Sequence, residues 1–187
     1  MTDRAALIME SMKRLKKENE PLLIAIDGRC AAGKTTLAEE LRRACRCSVL
    51  HMDDFFLQRQ QRTPERLKEP GGNVDYERFL NEVLLPLHRG SGFSYRPYNC
   101  HTQKMEMPRQ MIPKPVNIIE GSYSCHPALW KYYDLHIFLS VGREEQLRRI
   151  ALRGRETVAI FRDRWIPLEE LYFSAYQIEQ RCELHFS

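Results

Sequence analysis

Long apolar runs are missing from this sequence. The longest, residues 21–26 and 137–141, are far shorter than the roughly 20 residues that a membrane-spanning helix needs. The first twenty residues mix acidic and basic side chains and contain no apolar stretch of the kind found in secretory signals. We therefore expect no membrane segment and a cytoplasmic protein.

Paired cysteines and a strong excess of one charge are also missing. None of the six cysteines forms a CxxC motif, and in a chain without a visible signal the thiols are expected to be reduced. The 29 Lys and Arg residues exceed the 25 Asp and Glu residues by only four. This mild excess suits a polyphosphate ligand but is too small and too dispersed to indicate nucleic acid. We expect no nucleic-acid partner, and a homo-oligomer is left open.

The composition is that of a folded domain. The 187 residues, 43% of them hydrophobic, predict one domain with a packed core. Short apolar runs predict buried strands at 22–26, 116–119 and 135–139, with a weaker one at 48–51 and a partial candidate at 182–186. Helical patterns occur at about 3–18, 33–46, 75–89, 126–132, 143–153 and 167–180. This alternation predicts an α/β fold with a mainly parallel sheet.

Two long segments have no clear helical or strand pattern. Residues 58–72 are rich in Arg, Gln, Pro and Gly, and residues 96–114 contain three prolines. Both are expected to be surface loops. Loops of this length in a compact domain are often functional.

A glycine-rich motif follows the first predicted strand and opens a helix. Residues 28–35 match G-x-x-x-x-G-K-[ST] without a mismatch. Its glycines allow backbone N–H groups to surround a phosphate, and the helix N-terminus adds partial positive charge. The expected roles are charge neutralisation at the β- and γ-phosphates by Lys34 and Mg²⁺ ligation by Thr35. ATP and Mg²⁺ are thus the expected cofactors, with nucleotide contacts from Gly28, Arg29, Cys30, Ala31, Ala32, Gly33, Lys34, Thr35 and Thr36.

Acidic residues follow two of the other predicted strands. Asp53 begins the sequence D-D-F-F after the strand at 48–51, and Glu120 ends the strand at 116–119. The carboxyl ends of parallel strands are where α/β sheets bind their ligands. A carboxylate beside a γ-phosphate can orient an acceptor hydroxyl and take its proton late in phosphoryl transfer.

Taken in chain order, these motifs resemble the uridine kinase-like P-loop kinases. The matching segments are D-G-x₄-G-K-T at 27–35, D-D-F-F at 53–56, G-N-V-D at 72–75, R-P-Y-N at 96–99 and I-I-E-G at 118–121. The resemblance runs from about residue 21 to 180. It implies a P-loop NTPase fold with three α/β/α layers over 1–187, a substrate-loop region at about 58–114 and a small helical lid at about 143–165.

The resemblance also implies an activity and the residues that carry it. The family transfers the γ-phosphate of ATP to a small-molecule hydroxyl, in its best-known members the 5′-hydroxyl of uridine or cytidine. Asp53 matches the family's base, and Glu120 matches the acidic residue that supports Mg²⁺. The remaining implied roles are acceptor binding by Asp75, Tyr98 and Arg155 and catalytic phosphate contacts by Arg149 and Arg153 of the pattern R-x-x-x-R-G-R.

Two alternatives stay open. The family's substrate loop usually has Asp and an aromatic residue where this chain has Asn99 and Cys100, so another metabolite alcohol could replace the nucleoside. A nucleotide-binding regulatory NTPase without an acceptor is the second alternative. Asp53 discriminates a kinase from such a regulator, because a regulator needs no base placed for an acceptor hydroxyl.

Overall fold

A five-stranded parallel sheet forms the centre of the molecule, whose computed structural model describes residues 1–16, 18, 20–154 and 157–187. Its strands are β1 (Leu22–Gly28), β2 (Ser48–His51), β3 (Val116–Glu120), β4 (Leu135–Leu139) and β5 (Leu184–Phe186). They lie in the order β2-β3-β1-β4-β5, and all neighbours are parallel. β1 and β4 are buried along their whole length, which explains their almost continuous apolar sequences.

The strand register brings the C-terminal ends of β1, β2 and β3 together at one edge of the sheet. Glu120 at the end of β3 lies beside Ile26 of β1 on one side and beside His51 of β2 on the other. The glycine-rich turn that follows β1 and the segment that follows β2 therefore emerge next to Glu120. This edge is the expected ligand-binding edge of a parallel sheet.

Helices cover both faces of the sheet. They are α1 (Asp3–Leu15), α2 (Lys34–Cys45), α3 (Pro64–Lys68), α4 (76–88), α5 (Pro127–Trp130), α6 (Arg143–Ala151), α7 (157–176) and α8 (Ile178–Arg181). Two of them contain π-helical turns, Leu80–Leu84 in α4 and Phe161–Trp165 in α7. Short 3₁₀ turns span Met52–Phe55 and Arg59–Gln61.

The side chains of β1 alternate between two hydrophobic cores. Ile24 and Ile26 pack in one core with buried residues of α1 and α2. Leu23 and Ala25 pack in the other with residues of α4, α5 and α7. The molecule therefore has three layers, which confirms the expected α/β/α fold with a parallel sheet. No helix in the described ranges is long and apolar enough to cross a membrane.

Several expected boundaries were wrong. α1 ends at Leu15 instead of reaching residue 18, and α7 begins ten residues before the predicted 167. The segment 96–114 is not a simple loop, because strand Phe93–Tyr95 pairs with Arg109–Met111 and Tyr98–Asn99 pairs with Lys104–Met105, both antiparallel. Segment 58–72 likewise contains a 3₁₀ turn and α3. The partial strand candidate at 182–186 is confirmed as β5, which pairs with β4.

Candidate nucleotide and acceptor site

The phosphate loop, residues 28–35, joins β1 to α2, and its shape depends on glycine. Gly28 has φ +132°, and a Cβ at this position would lie 2.0 Å from the carbonyl oxygen of Leu139 on β4. Gly33 is the N-cap of α2 and has φ +99°. The Arg29 N–H donates to the Leu139 carbonyl over 3.0 Å. The loop is thus fixed against the sheet, with the N-terminus of α2 facing the site.

Lys34 is folded back over the phosphate loop. Its ammonium donates to the carbonyl oxygens of Gly28 and Arg29, at 2.6 and 3.0 Å, and to Ser122 Oγ at 3.2 Å. Each of these partners is a neutral oxygen. The positive charge of Lys34 is therefore available to compensate phosphate, the role predicted for it.

The two residues predicted to support Mg²⁺ lie together. The Thr35 hydroxyl donates to the Glu120 carboxylate, with oxygen distances of 3.2 and 3.3 Å. Hydroxyl and carboxylate oxygens suit Mg²⁺, which commonly uses one or two protein carboxylates together with phosphates and waters. The described residues contain no cluster of three or more His, Cys, Asp or Glu that could hold a metal by itself. The donor set fits a Mg²⁺ that is bound jointly with a nucleotide.

His51 is an additional residue of this cluster that the sequence did not single out. Its Nδ1 lies 2.5 Å from a carboxylate oxygen of Glu120. This hydrogen bond raises the pKa of His51 above its usual value. His51 therefore helps to fix the Glu120 carboxylate beside Thr35, a contact set by the β2–β3 register.

Asp53 lies in the 3₁₀ turn that follows β2. Gly121, with φ +137°, allows this turn to approach β3, because a Cβ there would lie 2.9 Å from Met52 Cβ and 3.4 Å from Asp53 Oδ1. The residue is exposed at the rim of the site, although protein atoms crowd its carboxylate. Desolvation by the surrounding protein raises its pKa, the Lys34 ammonium opposes this, and the Glu120 carboxylate adds to it. Asp53 therefore lies at the same edge of the sheet as Lys34 and Glu120, where a base for the γ-phosphate is expected.

The two residues predicted to bind the acceptor differ in their contacts. Asp75 is the N-cap of α4, where it accepts the Arg78 N–H over 3.0 Å and the Gln61 side-chain amide over 2.7 Å. Both of its oxygens are therefore engaged within the protein. Tyr98 is buried, its hydroxyl has no partner among the described residues, and the Arg62 guanidinium lies 5.9 Å from its ring centroid.

Only one of the three predicted arginines contacts the phosphate loop in the described structure. Arg149 of α6 donates to the Ala31 carbonyl over 3.1 Å and pairs with Glu145 at 2.6 Å. Arg153 is exposed beyond the end of α6. Arg155 lies outside the described residues. A lid function for this region stays a prediction.

The peptide groups around Cys30 are held by side chains that the sequence analysis missed. Glu169 of α7 accepts the Cys30 N–H over 3.0 Å and the Ser122 hydroxyl over 2.6 Å. Gln146 of α6 donates its amide to the Cys30 carbonyl over 3.2 Å. Burial raises the pKa of the Cys30 thiol to about 12, and the Glu169 carboxylate adds to this shift. The available signal was the pair Glu169–Glu170 within an otherwise largely apolar helical stretch, and the sequence does not tell which of the two is buried.

Arg29 makes side-chain contacts on the outer side of the phosphate loop. Its guanidinium pairs with Glu170 of α7 at 2.7 Å and with Glu179 of α8 at 3.3 Å. The Arg29 backbone N–H and carbonyl are also engaged, with Leu139 and Lys34, so a nucleotide contact from Arg29 stays a prediction.

Asp27 ties the phosphate loop to the segment after β3. Its fully buried carboxylate accepts N–H groups of Gly28, Tyr123 and Cys125 and the Tyr172 hydroxyl, at 2.7, 3.0, 2.8 and 2.8 Å. Burial raises the pKa of Asp27 to about 6, although these hydrogen bonds act against the shift. Ser122, which contacts Lys34, is thereby held close to the loop.

No model of a known protein family matches the chain. Solved structures of kinases nevertheless share its fold over almost the whole length. A candidate uridine kinase from Bacillus stearothermophilus is 20% identical, with a TM-score of 0.77 over 99% of this chain and 98% of the other. A candidate fructose transport system kinase from Silicibacter sp. TM1040 is 20% identical, with a TM-score of 0.78 over 100% of both chains.

A structure with a third acceptor in its name is also similar. D-glycerate 3-kinase from Cryptococcus neoformans is 14% identical, with a TM-score of 0.65 over 90% of this chain and 86% of the other. These likenesses show that the chain has a fold shared by solved structures of kinases. At this level of identity they establish the fold, and the activity has to be argued from the site.

Proposed function

We propose that this protein is an ATP-dependent kinase that transfers the γ-phosphate to a hydroxyl of a small molecule. The observation that carries the proposal is the convergence of three groups at one edge of the sheet. These are the Lys34 ammonium on the phosphate loop, the Thr35–Glu120 pair and the Asp53 carboxylate. A site that only senses a nucleotide has no need of the third group.

Each residue of the site has a separate role in the proposed phosphoryl transfer. Bound Mg·ATP supplies the phosphoryl group and a cation that neutralises charge on it. The N-terminus of α2 and Lys34 hold the phosphates, and Thr35 and Glu120 provide oxygens to the metal. Asp53 orients the acceptor hydroxyl in line and accepts its proton late, because the transition state is loose. Arg149 contacts the Ala31 carbonyl of the loop, and its charge is paired with Glu145, so its predicted contact with phosphate requires that pair to open.

The acceptor is the finer part of the proposal. A nucleoside, which the resemblance implies, would rely on Asp75 and Tyr98, yet the Asp75 carboxylate already caps α4 and binds Gln61. The names of the similar structures cover uridine, fructose transport and D-glycerate. The fold therefore supports both a nucleoside and another metabolite alcohol, and the two are tested together.

The first experiment is ADP release from Mg·ATP in the presence of uridine, cytidine and a panel of other small alcohols, with an acceptor-free control. Acceptor-stimulated release that Lys34→Ala reduces at least 100-fold supports the kinase, because γ-phosphate charge then goes uncompensated. Release that no acceptor stimulates favours the regulatory NTPase. Full turnover by Lys34→Ala would remove the phosphate loop from the reaction.

A further inference from the structure

Arg62 is a fixed cation on the acceptor side of the site. It follows the 3₁₀ turn Arg59–Gln61 and is partly buried. Its Nε donates to the Leu57 carbonyl over 2.9 Å, and its guanidinium lies over the ring of Tyr98. These two contacts hold the guanidinium plane, and the Cys100 thiol is a further neighbour of the guanidinium. Among the described residues no carboxylate forms an ion pair with it.

Three other arginines of the same region are paired with carboxylates, whereas Arg96 donates to backbone carbonyl groups and both Arg96 and Arg59 are exposed. The pairs are Arg66 with Glu77 at 2.7 Å, Arg78 with Glu82 at 3.2 Å and Arg109 with Asp54 at 2.8 Å. In each of these pairs the carboxylate compensates the positive charge of the arginine. Arg62 is held by a carbonyl group and an aromatic ring, which leave its positive charge uncompensated.

Arg62 is also close to the proposed base. The strand Tyr98–Asn99 packs against the turn Met52–Phe55, which carries Asp53. The Cys100 thiol is near enough to both charges to be affected by each. Burial is the main cause of its raised pKa, Arg62 lowers that pKa and Asp53 raises it. The guanidinium and the Asp53 carboxylate thus lie around one thiol without pairing with each other.

A buried polar group beside Arg62 lacks a partner. The Tyr98 hydroxyl is enclosed by protein and makes no hydrogen bond within the described ranges. Leaving such a group unpaired costs about 1–3 kcal/mol, so native structures usually satisfy it with protein, water or ligand. A cation without a carboxylate partner, placed over the ring of a tyrosine whose hydroxyl is also unpaired, is a feature of a binding site for a polar ligand.

We infer that the acceptor is an anionic hydroxy compound, whose carboxylate or phosphate group binds Arg62 while its hydroxyl meets Asp53. This inference rests on the proposed kinase function and narrows its acceptor. A guanidinium binds both anions through two parallel hydrogen bonds. Repulsion by the Asp53 carboxylate keeps the anionic end of the acceptor away from the base, so the hydroxyl end is the one presented to the γ-phosphate. A neutral nucleoside would leave the Arg62 charge unpaired.

The test is a calorimetric titration with matched pairs of compounds that differ in charge. The protein is saturated with Mg²⁺ and a non-hydrolysable ATP analogue, so that the phosphate loop is occupied. The pairs are glycerate and glycerol, gluconate and sorbitol, and fructose 6-phosphate and fructose, with uridine added as the neutral nucleoside. The first two pairs probe a carboxylate and the third a phosphate. We expect an anionic member to bind at least about tenfold more tightly than its neutral counterpart.

Variants at two neighbouring arginines make the result specific. Arg62→Gln should weaken the preferred anion at least about tenfold, and Arg62→Lys should restore part of that loss, because it keeps the charge without the planar fork. Arg59→Gln is the matched control, since Arg59 is exposed three residues away and the same charge is removed. Its binding should stay within twofold of the wild type. Thermal unfolding of each variant confirms that it is folded.

Three results would overturn the inference. Neutral members could bind as tightly as charged ones, Arg62→Gln and Arg59→Gln could lose affinity equally, or none of the anionic compounds could bind. Uridine-stimulated ADP release with no anion binding would leave the kinase intact and refute the anionic acceptor. Conversely, anions could bind in an Arg62-dependent way while Lys34→Ala leaves turnover unchanged. That result would refute the proposed kinase function but keep Arg62 as an anion-binding site.

Discussion

Asp53 and Asp54 are adjacent residues of the same type in very different surroundings. Asp54 is bound by the Arg109 guanidinium at 2.8 Å and by the Tyr95 hydroxyl at 3.0 Å, whereas Asp53 is exposed at the rim of the site. The sequence presents both as candidates for a base. The role of base is assigned to Asp53 by the resemblance. The contacts of Asp54 support this assignment, because Arg109 and Tyr95 already bind the Asp54 carboxylate.

The pair gives a matched test of the base. Asp53→Asn should lower the rate of phosphoryl transfer about 100- to 10,000-fold, because an amide cannot accept the proton of the acceptor hydroxyl. Binding of Mg·ATP should stay within a few-fold of wild type. The measurements are ADP release under saturating substrates and calorimetric titration with Mg·ATP.

Asp54→Asn is the control for that experiment. It weakens the attachment of the strand Arg109–Met111 and should lower stability, but it should retain most of the transfer rate. Equal losses of rate in the two variants would remove Asp53 from the role of base.

His126 is a buried histidine whose titration should be visible in protein stability. Its ring stacks on Tyr76 at 4.0 Å between centroids, and its Nδ1 accepts the Ala128 N–H at the start of α5. Burial lowers its pKa to about 4 from 6.5, and the nearby Arg66 charge acts in the same direction while Glu77 opposes it. The folded protein therefore holds His126 neutral under conditions in which an unfolded chain would protonate it.

The sign of the pH effect follows from that difference. Because the pKa is lower in the folded state, the contribution to stability is complete above pH 6.5 and is lost as the pH falls towards 4. The loss amounts to about 3 kcal/mol, since one pKa unit corresponds to about 1.4 kcal/mol. His126→Asn keeps a cap for α5 and removes the titration. The free energy of unfolding of the wild type should fall by that amount relative to the variant between pH 7.5 and 4. A constant difference would contradict the assignment.

At the scale of elements, the phosphate loop is held by α6, which lies within the predicted lid at about 143–165, and by α7, which overlaps its end. Gln146 and Arg149 of α6 bind the carbonyl groups of Cys30 and Ala31. Glu169 and Glu170 of α7 bind the Cys30 N–H and the Arg29 guanidinium. The connection between the two helices passes through residues 152–156.

Two neighbouring glutamates test this attachment. Glu169 is buried and accepts both the Cys30 N–H and the Ser122 hydroxyl. Glu169→Ala leaves the buried Cys30 N–H unpaired and leaves the Ser122 hydroxyl only the Gly28 carbonyl at 3.3 Å, so it should cost about 1–3 kcal/mol or more of unfolding free energy. Its KM for ATP should also rise, because Ser122 contacts Lys34. Glu170→Ala breaks a partly exposed ion pair and should cost less than about 1 kcal/mol. Urea unfolding and ATP kinetics measure both effects, and equal costs would contradict the argument.

The sequence predicted the strands that are buried along their whole length more accurately than the strands that are partly exposed. β1, β3 and β4 are buried throughout or nearly so, and their apolar runs mark them almost to the residue. The hairpin of Phe93–Tyr95 with Arg109–Met111 is half exposed, and its strands are three residues long and separated by 13 residues of sequence. Neither alternation nor a short turn indicates such a pairing.

The candidate site shows the same division. Lys34, Thr35, Asp53 and Glu120 follow strands that end at one edge, so a parallel sheet alone predicts that they meet. Glu169 reaches the phosphate loop from a helix 139 residues away in sequence, and its contact depends on the packing angle of α7. Asp75 could be predicted as a helix N-cap or as an acceptor ligand, and only the structure gives its present partners.

For the whole molecule, the order β2-β3-β1-β4-β5 places the phosphate loop on the central strand, between the two hydrophobic cores. The loop is anchored to β4 through Gly28 and Arg29, to the end of β3 through Asp27 and Ser122, and to α7 through Glu169. A ligand that binds the loop therefore acts on elements from every layer. Its binding free energy should appear as stability of the entire domain and not as local ordering alone.

This coupling predicts a large thermal shift on nucleotide binding. At a free Mg·ATP concentration 100 times its Kd, mass action adds about 2.7 kcal/mol, and a domain of 150–250 residues gains about 2–4 °C in Tm per kcal/mol. The Tm should therefore rise by about 5–10 °C in one cooperative transition.

Lys34→Ala should lose most of this shift at the same Mg·ATP concentration, and removal of Mg²⁺ by a chelator should reduce it in the wild type. Lys131→Ala removes an exposed lysine far from the loop in sequence and should keep the full shift. A Lys34→Ala protein that shifts as far as the wild type would show that the nucleotide is not held by this loop.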